Sequence, residues 1–207
     1  MASIKPIRNS LEDVLLTPDN AALLIIDYQP TQVHSIRSRI NGSELVHNAV
    51  VVAQITKSYG LPIVLSTVNV ATKRNLETVT PLREVLAGVP SYDRTSINAW
   101  EDAEFYAAVK ATGRKKLLMC ALWTEACLTF PTLDALHEGY EVYPVVDAVG
   151  GTSELAHTTA LRRVEQAGAQ LISIVQLACE LQRDWNRDAT VESFMKIMFD
   201  VGAFVKL

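Results

Sequence analysis

Short apolar runs alternate with segments of helical pattern along this chain. The first run, "AALLIIDY" at 21–28, is apolar almost throughout, which is typical of a strand buried on both faces of a sheet. Four more strands are predicted at 61–68, 116–122, 140–148 and 169–175. Strands that alternate with helices favour a parallel sheet covered on both sides. The pattern therefore predicts an α/β fold with three layers, α/β/α, around a mostly parallel central sheet.

The helical segments between these strands carry start and stop signals. The longest helix is predicted over Ser43–Tyr59, with Ser43 as its N-cap and Gly60 as its stop. Other helices are predicted at 82–86, 101–113, 125–138, 153–167 and from about 177 onward. No linker or internal repeat interrupts the pattern. Residues 1–207 are therefore predicted to form one domain with a helical C-terminal tail.

The composition narrows the class of protein. The chain has 207 residues, a formal net charge of −4 and three cysteines. The negative charge argues against nucleic acid as a partner, and no window resembles a membrane span or a signal peptide. An odd number of cysteines does not make a disulfide framework. These features predict a cytoplasmic protein with reduced thiols and with neither a nucleic-acid nor a membrane partner.

Polar residues stand where three of the predicted strands end. Asp27 ends the first strand, the segment "WTEAC" follows the strand at 116–122, and Asp147 ends the strand at 140–148. In an open parallel sheet, binding sites lie beyond the carboxyl ends of the strands. We therefore expect a site at this edge, and we expect Asp147 to cap a following turn or helix if it has no chemical role.

Two of the three cysteines lie near this edge. If Thr124 caps the helix that follows the strand, the free N–H groups and the helix dipole would lower the pKa of Cys127 and favour a nucleophilic thiolate. The alternative is a small buried side chain, which is the usual role of a free cysteine. Cys120 lies inside the strand and Cys179 in the tail, so packing is favoured for both.

The other candidate residues also have plain structural interpretations. Asp27 could be a carboxylate that accepts backbone hydrogen bonds at a strand end, and Arg94 could be a surface arginine paired with Asp93. The four histidines show no metal-ligand spacing. The chain has no glycine-rich dinucleotide fingerprint, no P-loop and no G-x-S-x-G elbow, so dinucleotide, ATP and serine-hydrolase chemistry lose support.

Several blocks together resemble the isochorismatase-like cysteine hydrolase superfamily, most closely its YcaC-type branch. The blocks are "ALLIIDYQ", "INAWEDAEF", "ALWTEAC" and "TLDALHEGYEVYPVVDAVGGT", and the similarity covers about residues 20–185. The resemblance implies a Rossmann-like topology and a catalytic triad of Asp27, Arg94 and Cys127. It also implies a cis peptide bond between Leu122 and Trp123.

The resemblance implies a mechanism as well. Asp27 would take the thiol proton, Cys127 would attack an amide carbonyl, and a thioester would then be hydrolysed. Backbone N–H groups of the turn, around Ala126 and Cys127 and next to Leu122 and Trp123, would hold the oxyanion. The family usually has lysine where this chain has Arg94, which can act only as a fixed charge. We expect that charge to lower the pKa of Cys127.

The same resemblance implies which residues line the substrate pocket, whether a cofactor is needed and how the chains assemble. Asn98, Trp100, Trp123 and Phe130 are the candidate substrate-binding residues, and their character suggests an apolar or aromatic group on a small-molecule substrate. Trp123 stands where a smaller residue is common, and Ala121 replaces a glycine, so the pocket is expected to differ in shape. The metal ligands of the nicotinamidase branch are missing, so we expect no metal and no other cofactor. A homo-oligomer, a dimer or a larger ring, is expected by analogy.

Two other functions remain open from the sequence. One is a non-catalytic oligomeric scaffold that keeps the fold, for which the apolar tail would supply an interface. The other is a thiol redox sensor that uses Cys127. An enzyme would lose turnover on selective alkylation of Cys127, a sensor would oxidise reversibly, and a scaffold would do neither.

Overall fold

A five-stranded parallel sheet forms the centre of the computed structural model, which describes residues 8–38 and 40–205. The strands are β1 (Ala21–Ile26), β2 (Ile63–Val68), β3 (Ser91–Arg94), β4 (Lys116–Ala121) and β5 (Glu141–Pro144). Their order is β3-β2-β1-β4-β5, and all four pairings are parallel. The chain thus builds outward from β1 to one edge and then returns to build the other half. The predicted parallel sheet and its Rossmann-like order are confirmed.

Helices cover both faces of this sheet. Their bounds are α1 (Pro30–His34), α2 (Gly42–Ser58), α3 (Thr80–Val85), α4 (Ala103–Ala111), α5 (Thr129–His137), α6 (Glu154–Gln166), α7 (Ile174–Gln182) and α8 (Asp188–Asp200). Alternate side chains of β1 enter two separate apolar clusters. Helices α1, α2, α3, α7 and α8 contribute to the first cluster, and α4, α5 and α6 to the second. The three-layer architecture follows from this alternation along a strand buried on both faces.

The long helix α2 begins differently from the prediction. Its N-cap is Asn41, whose side chain accepts a hydrogen bond from the Glu44 N–H at 2.9 Å. Ser43 lies inside the first turn, so its predicted capping role was wrong. Asn and Ser cap almost equally well, and the sequence "NGS" offers both. The stop at Gly60 is confirmed, because Gly60 has a φ of +71° just after the C-cap.

Two short elements were not predicted. Strand β3 has only four residues, "SYDR", and two of them are charged, so it lacks the apolar signal of a strand. It forms because its backbone pairs with β2 at the sheet edge, from Ser91 opposite Leu65 to Arg94 opposite Val68. Helix α1 is a single turn after Gln29, too short to show a helical period.

The strand predicted at 169–175 was wrong. Only Ile172 bridges to Val145, and α7 begins at Ile174. Both carboxylate oxygens of Asp147 lie 3.0 Å from the Ile174 N–H, which donates to them. Asp147 therefore caps a helix, as expected, although it is α7 and not the next helix in sequence. Ser173 also accepts from the Gln176 N–H at 3.2 Å, so two side chains favour a helix start here.

The C-terminal tail is helical, as predicted, and consists of α7 and α8. Trp185, between them, stacks on Phe204 with a ring-centroid distance of 6.3 Å and meets Phe194 edge-on at 5.4 Å. Within the described part of the chain, no helix is both long and apolar enough to cross a membrane.

Candidate functional site

The candidate site lies between β1 and β4, where the order in which the strands are added to the sheet reverses. β1 stands beside β4 at the centre of the sheet, and the chain leaves them toward opposite edges. Such a reversal leaves a crevice at the carboxyl ends of the two strands. Asp27 directly follows β1, and the segment 122–128 directly follows β4. Both sequence-predicted parts of the site therefore meet at one point.

Asp27 turns away from β1 in an uncommon backbone conformation. Its φ is +63°, in the left-handed region that few non-glycine residues adopt. The turn still continues the sheet, because the Asp27 N–H donates to the Ser66 carbonyl at 3.0 Å. The side chain is completely buried. A buried carboxylate needs a partner, and here that partner is Arg94.

Arg94 forms a two-pronged ion pair with Asp27. Its two terminal nitrogens, Nη1 and Nη2, lie 2.8 Å and 2.7 Å from the two carboxylate oxygens. Nη1 also donates to the Ser66 hydroxyl at 2.9 Å and the Thr67 carbonyl at 3.1 Å, and Nη2 donates to the Ile97 carbonyl at 3.1 Å. Burial alone would lower the pKa of Arg94, but the Asp27 carboxylate raises it above its ordinary value. The planar guanidinium suits this geometry, which a lysine ammonium could not reproduce.

The interpretation of Arg94 as a surface residue paired with Asp93 was wrong. Arg94 is only 4% exposed. The Asp93 carboxylate accepts hydrogen bonds from the N–H groups of Val70 and Ala71 and from the Thr67 hydroxyl, at 2.8–3.1 Å. Burial would raise the pKa of Asp93, but these hydrogen bonds keep it below its ordinary value. Asp93 therefore anchors the loop after β2, and its neighbour Arg94 points into the interior.

Cys127 lies beside this pair but does not have the lowered pKa that the sequence suggested. Cys127 is only 6% exposed and lies close to both Asp27 and Arg94. Burial, followed by the charge and the hydrogen bond of Asp27, raises the pKa of Cys127 well above its usual range. Arg94 and the Trp123 N–H lower it, but by less. The expectation failed because Arg94 is not an uncompensated charge: Asp27 neutralises it at close range.

The segment 122–128, which we call the 122–128 turn, has irregular backbone geometry. The peptide bond between Leu122 and Trp123 is cis, as the family resemblance implied. Thr124–Leu128 then forms one turn of π-helix, and α5 follows, in place of the single helix predicted at 125–138. Thr124 does not cap this segment; the N-cap is Trp123, with no side-chain capping bond. A π-turn inside a helix often marks a functional site.

The predicted oxyanion donors are only partly free. The Ala126 N–H donates to the Trp123 carbonyl at 3.1 Å, and the Leu128 N–H donates to the same oxygen at 3.2 Å. The Leu122 N–H continues the sheet by donating to the Ile26 carbonyl at 3.1 Å. Ala126 is therefore engaged at rest, and an oxyanion role for its N–H would require this bond to open or to be shared.

Two of the four predicted substrate-binding residues are committed to structural contacts. The Asn98 amide accepts from the Trp100 N–H at 3.1 Å and donates to Asp134 at 2.6 Å. The Trp100 indole donates to Glu138 at 2.8 Å, and its ring packs edge-on against Tyr106 and Tyr140. These contacts do not support the binding role predicted for Asn98 and Trp100.

Trp123 and Phe130 remain closer to the prediction. Both are half-buried. The Trp123 indole donates to the Ser35 hydroxyl at 2.7 Å, and the ring packs against the first apolar cluster. Phe130 lies in the first turn of α5, three residues after Cys127. Both side chains therefore stay next to the 122–128 turn.

Sequence reasoning missed two residues that build the site. Ser66 contacts Arg94 through its hydroxyl, and its carbonyl holds Asp27. Gln29 is fully buried and bridges three backbone groups: it donates to the carbonyls of Val68 and Leu76 and accepts from the Val68 N–H. Two signals were available in the sequence: Ser66 is a polar residue near the end of an otherwise apolar strand, and Gln29 stands two positions after Asp27. Among the described residues, no group of three potential ligands is placed to hold a metal ion.

Comparisons with known proteins agree with this architecture. A family model described as "Isochorismatase domain" matches residues 21–176. The chain is 37% identical to "Probable hydrolase YcaC" of Escherichia coli over 176 residues, an alignment that covers 84% of each chain. It is similar to a crystal structure of YcaC from Pseudomonas aeruginosa carrying hexane-2,5-diol and covalent acrylamide, with a TM-score of 0.84, 35% identity and 90% and 91% of the two chains covered. The E. coli YcaC structure, described as an octameric hydrolase of unknown specificity, gives a TM-score of 0.80 at 32% identity over 93% and 98% of the chains.

Proposed function

Because the chain belongs to the isochorismatase family of hydrolases, we propose that it cleaves a C–N bond of a small amide-type substrate through a thioester on Cys127. The carrying observation is that Cys127 lies beside Asp27, whose carboxylate is held by both prongs of Arg94. A nucleophile beside an oriented base is the recurring arrangement of covalent catalysis. Arg94 has the role of orienting that base.

The reaction would proceed in two half-reactions. Asp27 takes the thiol proton as the Cys127 sulfur attacks the carbonyl carbon, and the oxyanion is held by backbone N–H groups of the 122–128 turn. The C–N bond then breaks, and the amine leaves with the proton from Asp27. Water attacks the thioester, giving its proton to Asp27, and the carboxylic acid leaves as the thiol is restored. Proton and bond changes balance without a cofactor or a metal.

The raised pKa of Cys127 sets the order of events in this mechanism. Because its pKa is raised, the Cys127 thiol is protonated at neutral pH, so the thiolate forms only as the attack proceeds. Arg94 keeps Asp27 in place, and its own pKa is too high for it to exchange a proton. This arrangement differs from cysteine enzymes that store a stable thiolate at rest.

Two properties of relatives support the proposal. The structure of P. aeruginosa YcaC contains covalent acrylamide, and acrylamide is both a thiol-reactive electrophile and a small primary amide. E. coli YcaC is described as octameric, and we propose that this chain is a homo-oligomer too. A redox sensor is disfavoured, because sensors need an accessible thiol of low pKa, whereas Cys127 is buried and its pKa is raised.

The test compares Cys127→Ala with Asp27→Asn on a panel of small amides and imides. Both variants should lose turnover. Reaction with iodoacetamide should distinguish them: labelling at position 127 disappears in Cys127→Ala but becomes faster in Asp27→Asn. The reason is that Asp27 raises the pKa of Cys127, so removing its charge leaves Arg94 free to stabilise a thiolate.

Peptide mass spectrometry would read the labelling site, and circular dichroism would show that each variant is folded. Turnover that survives in Cys127→Ala would contradict the thioester mechanism. Turnover that survives in Asp27→Asn would show that another group is the base.

A further inference from the structure

Glu125 connects the 122–128 turn to a second loop. One of its carboxylate oxygens, Oε1, accepts hydrogen bonds from Thr152, at 2.9 Å from the backbone N–H and 2.5 Å from the hydroxyl. Thr152 belongs to the segment 150–152, "GGT", which lies between β5 and α6. Glu125 stands only two positions before Cys127, so the contact is made from within the turn itself.

Gly151 is shaped to receive the same carboxylate. A Cβ placed on Gly151 would lie 2.7 Å from the other oxygen, Oε2, and 3.0 Å from the Cβ of His157. The first distance is too short for real atoms, so a side chain at position 151 would force the Glu125 carboxylate out of its present place. Oε2 is buried and has no hydrogen-bond partner among the described residues. The carboxylate is therefore held by one oxygen through hydrogen bonds and by the other through packing.

Thr124 makes a parallel set of contacts to the same region. Its N–H donates to the Gly150 carbonyl at 3.0 Å, and its hydroxyl lies 2.8 Å from Nδ1 of His157 on α6. Leu122 also forms an isolated bridge with Gly150. Three residues of the turn thus contact the 150–152 segment or the start of α6, on the side of the turn away from β1.

The turn needs such external contacts because its own hydrogen bonds are irregular. A π-turn lacks the regular ladder of an α-helix, and here two N–H groups, those of Ala126 and Leu128, share the Trp123 carbonyl. These two donors stand on either side of Cys127 in sequence, and the Trp123 N–H is close enough to the Cys127 sulfur to lower its pKa. Whatever fixes the orientation of the Trp123 peptide also fixes the sulfur.

We propose that Glu125 is a positioning residue that fastens the 122–128 turn to the 150–152 segment and so holds the Trp123 peptide and the Cys127 sulfur in place for attack. The proposal rests on the proposed function, in which Cys127 is the nucleophile. Glu125 acts through hydrogen-bond acceptance and packing. Its negative charge is not required, because Oε1 makes both bonds and a glutamine oxygen could make them equally.

The experiment measures the rate of acrylamide addition to Cys127 by peptide mass spectrometry at fixed pH in the intact protein. Glu125→Leu keeps most of the side-chain volume but removes the acceptor, and we expect addition to slow by about fivefold to tenfold, the effect of losing roughly one hydrogen bond. Glu125→Gln keeps an acceptor and should stay within about twofold of wild type. Thr152→Val should fall between them.

Two further variants complete the design. Glu165→Leu, at an exposed position on α6, removes the same charge without touching the turn and should react like wild type. Glu125→Leu combined with Thr152→Val should be no slower than Glu125→Leu alone, because both changes break the same contact. Thermal melting of each variant checks that it is folded.

The direction of the change in the acrylamide addition rate shows whether Glu125 positions the Cys127 sulfur or only shields it from solvent. If Glu125 served only to bury the turn, Glu125→Leu would expose the thiol, and addition would stay the same or become faster; that result would overturn the proposal. Equal slowing in Glu125→Gln and Glu125→Leu would also overturn it, since charge would then be the cause. If Glu125→Leu does not fold, Glu125→Gln and Thr152→Val still give a decisive ratio. Failure of the proposed function would appear separately, as turnover that persists in Cys127→Ala.

Discussion

Cys120 and Cys127 are seven positions apart, yet they lie on opposite faces of the sheet. Cys120 points from β4 into the apolar cluster beneath α2 and α7, and Cys127 points from the following turn into the cluster beneath α4 and α5. Both thiols are buried, and burial is the largest cause of a pKa well above the usual range for both. By burial and pKa alone, the two residues could not be told apart.

Their partners distinguish them. Cys120 lies near Tyr28, whose hydroxyl donates to the Ala148 carbonyl, and after burial the charge of Asp147 raises the pKa of Cys120 further. Among the described residues, no cation lowers the pKa of Cys120. Cys127 has beside it a carboxylate that could take its proton, a guanidinium that holds that carboxylate, and the Trp123 N–H, which lowers its pKa. The comparison teaches that a paired carboxylate separates the proposed nucleophile, Cys127, from the buried thiol of Cys120, whereas a lowered pKa does not.

The largest effect should separate the two cysteines in turnover. Cys127→Ala should reduce hydrolysis of an accepted amide by at least about a thousandfold, since removal of a nucleophile abolishes the covalent route. Cys120→Ala should stay within about threefold of wild type, because it is a core substitution in the other apolar cluster. Steady-state rates on the same amide give the ratio. Comparable losses in both variants would show that the nucleophile has been assigned wrongly.

The next effect concerns the pair that distinguishes Cys127. Arg94→Met leaves Asp27 as an unpaired buried charge, which typically costs about 3–5 kcal/mol of unfolding free energy. Arg94→Lys keeps the charge but loses the two-pronged geometry, so we expect a smaller loss of about 1–2 kcal/mol. Urea denaturation measures both. A Met variant as stable as the Lys variant would mean that the ion pair does not anchor this edge of the sheet.

Alkaline pH should affect both cysteines alike. A thiol whose pKa is raised by folding contributes stability that is complete below the ordinary thiol pKa of about 8.5 and is lost as pH rises toward the folded value. Between pH 8.5 and pH 10 each thiol should cost up to about 2 kcal/mol. Cys120→Ala and Cys127→Ala should each remove one such contribution, so both stability–pH curves should be flatter than that of wild type.

Equal flattening of the stability–pH curves in the two variants would show that the pKa of a thiol and its catalytic role are independent. If only Cys120→Ala flattens the curve, the pKa of Cys127 is not raised by folding, and the predicted likeness of the two buried thiols would be wrong. Chemical denaturation at each half pH unit gives the curves.

The smallest effect is the packing role of Cys120 at neutral pH. Cys120→Ala removes one fully buried sulfur from the first apolar cluster, and we expect a loss of about 1 kcal/mol. Cys120→Ser should cost more, because its hydroxyl would need a hydrogen-bond partner in an apolar setting. A serine variant more stable than the alanine variant would indicate that Tyr28 satisfies the new hydroxyl.

The fold could be predicted where the apolar pattern was long. Four of the five strands and every long helix were found, because burial on both faces produces continuous apolar runs and because α2, α4, α6 and α7 begin at side-chain caps. β3 was missed because an edge strand with the sequence "SYDR" is held by backbone pairing with β2, which leaves no pattern in its side chains. The false strand at 169–175 shows the converse: the run is apolar, but Asp147, distant in sequence, caps a helix there.

The sequence predicted three members of the candidate site, whose catalytic roles stay predictions, but it did not predict their electrostatics. Motif blocks placed Asp27, Arg94 and Cys127, and the structure brings the three side chains together. The pKa of Cys127 was predicted with the wrong sign, because one neighbouring charge was counted without the other. Which charges cancel depends on distances of 2.7–2.8 Å between β1 and β3, and no local pattern encodes such a contact.

The ion pair between Asp27 and Arg94 has a consequence for how substrate would arrive. The two charges cancel inside the protein, so the crevice offers little net field to a molecule in solution. Encounter with an uncharged amide would then depend on diffusion and on the shape of the opening. Raising the salt concentration, which screens exposed charges over about 8–10 Å at physiological strength, should leave the second-order rate constant nearly unchanged. An enzyme with this site would work equally well across a wide range of ionic strength.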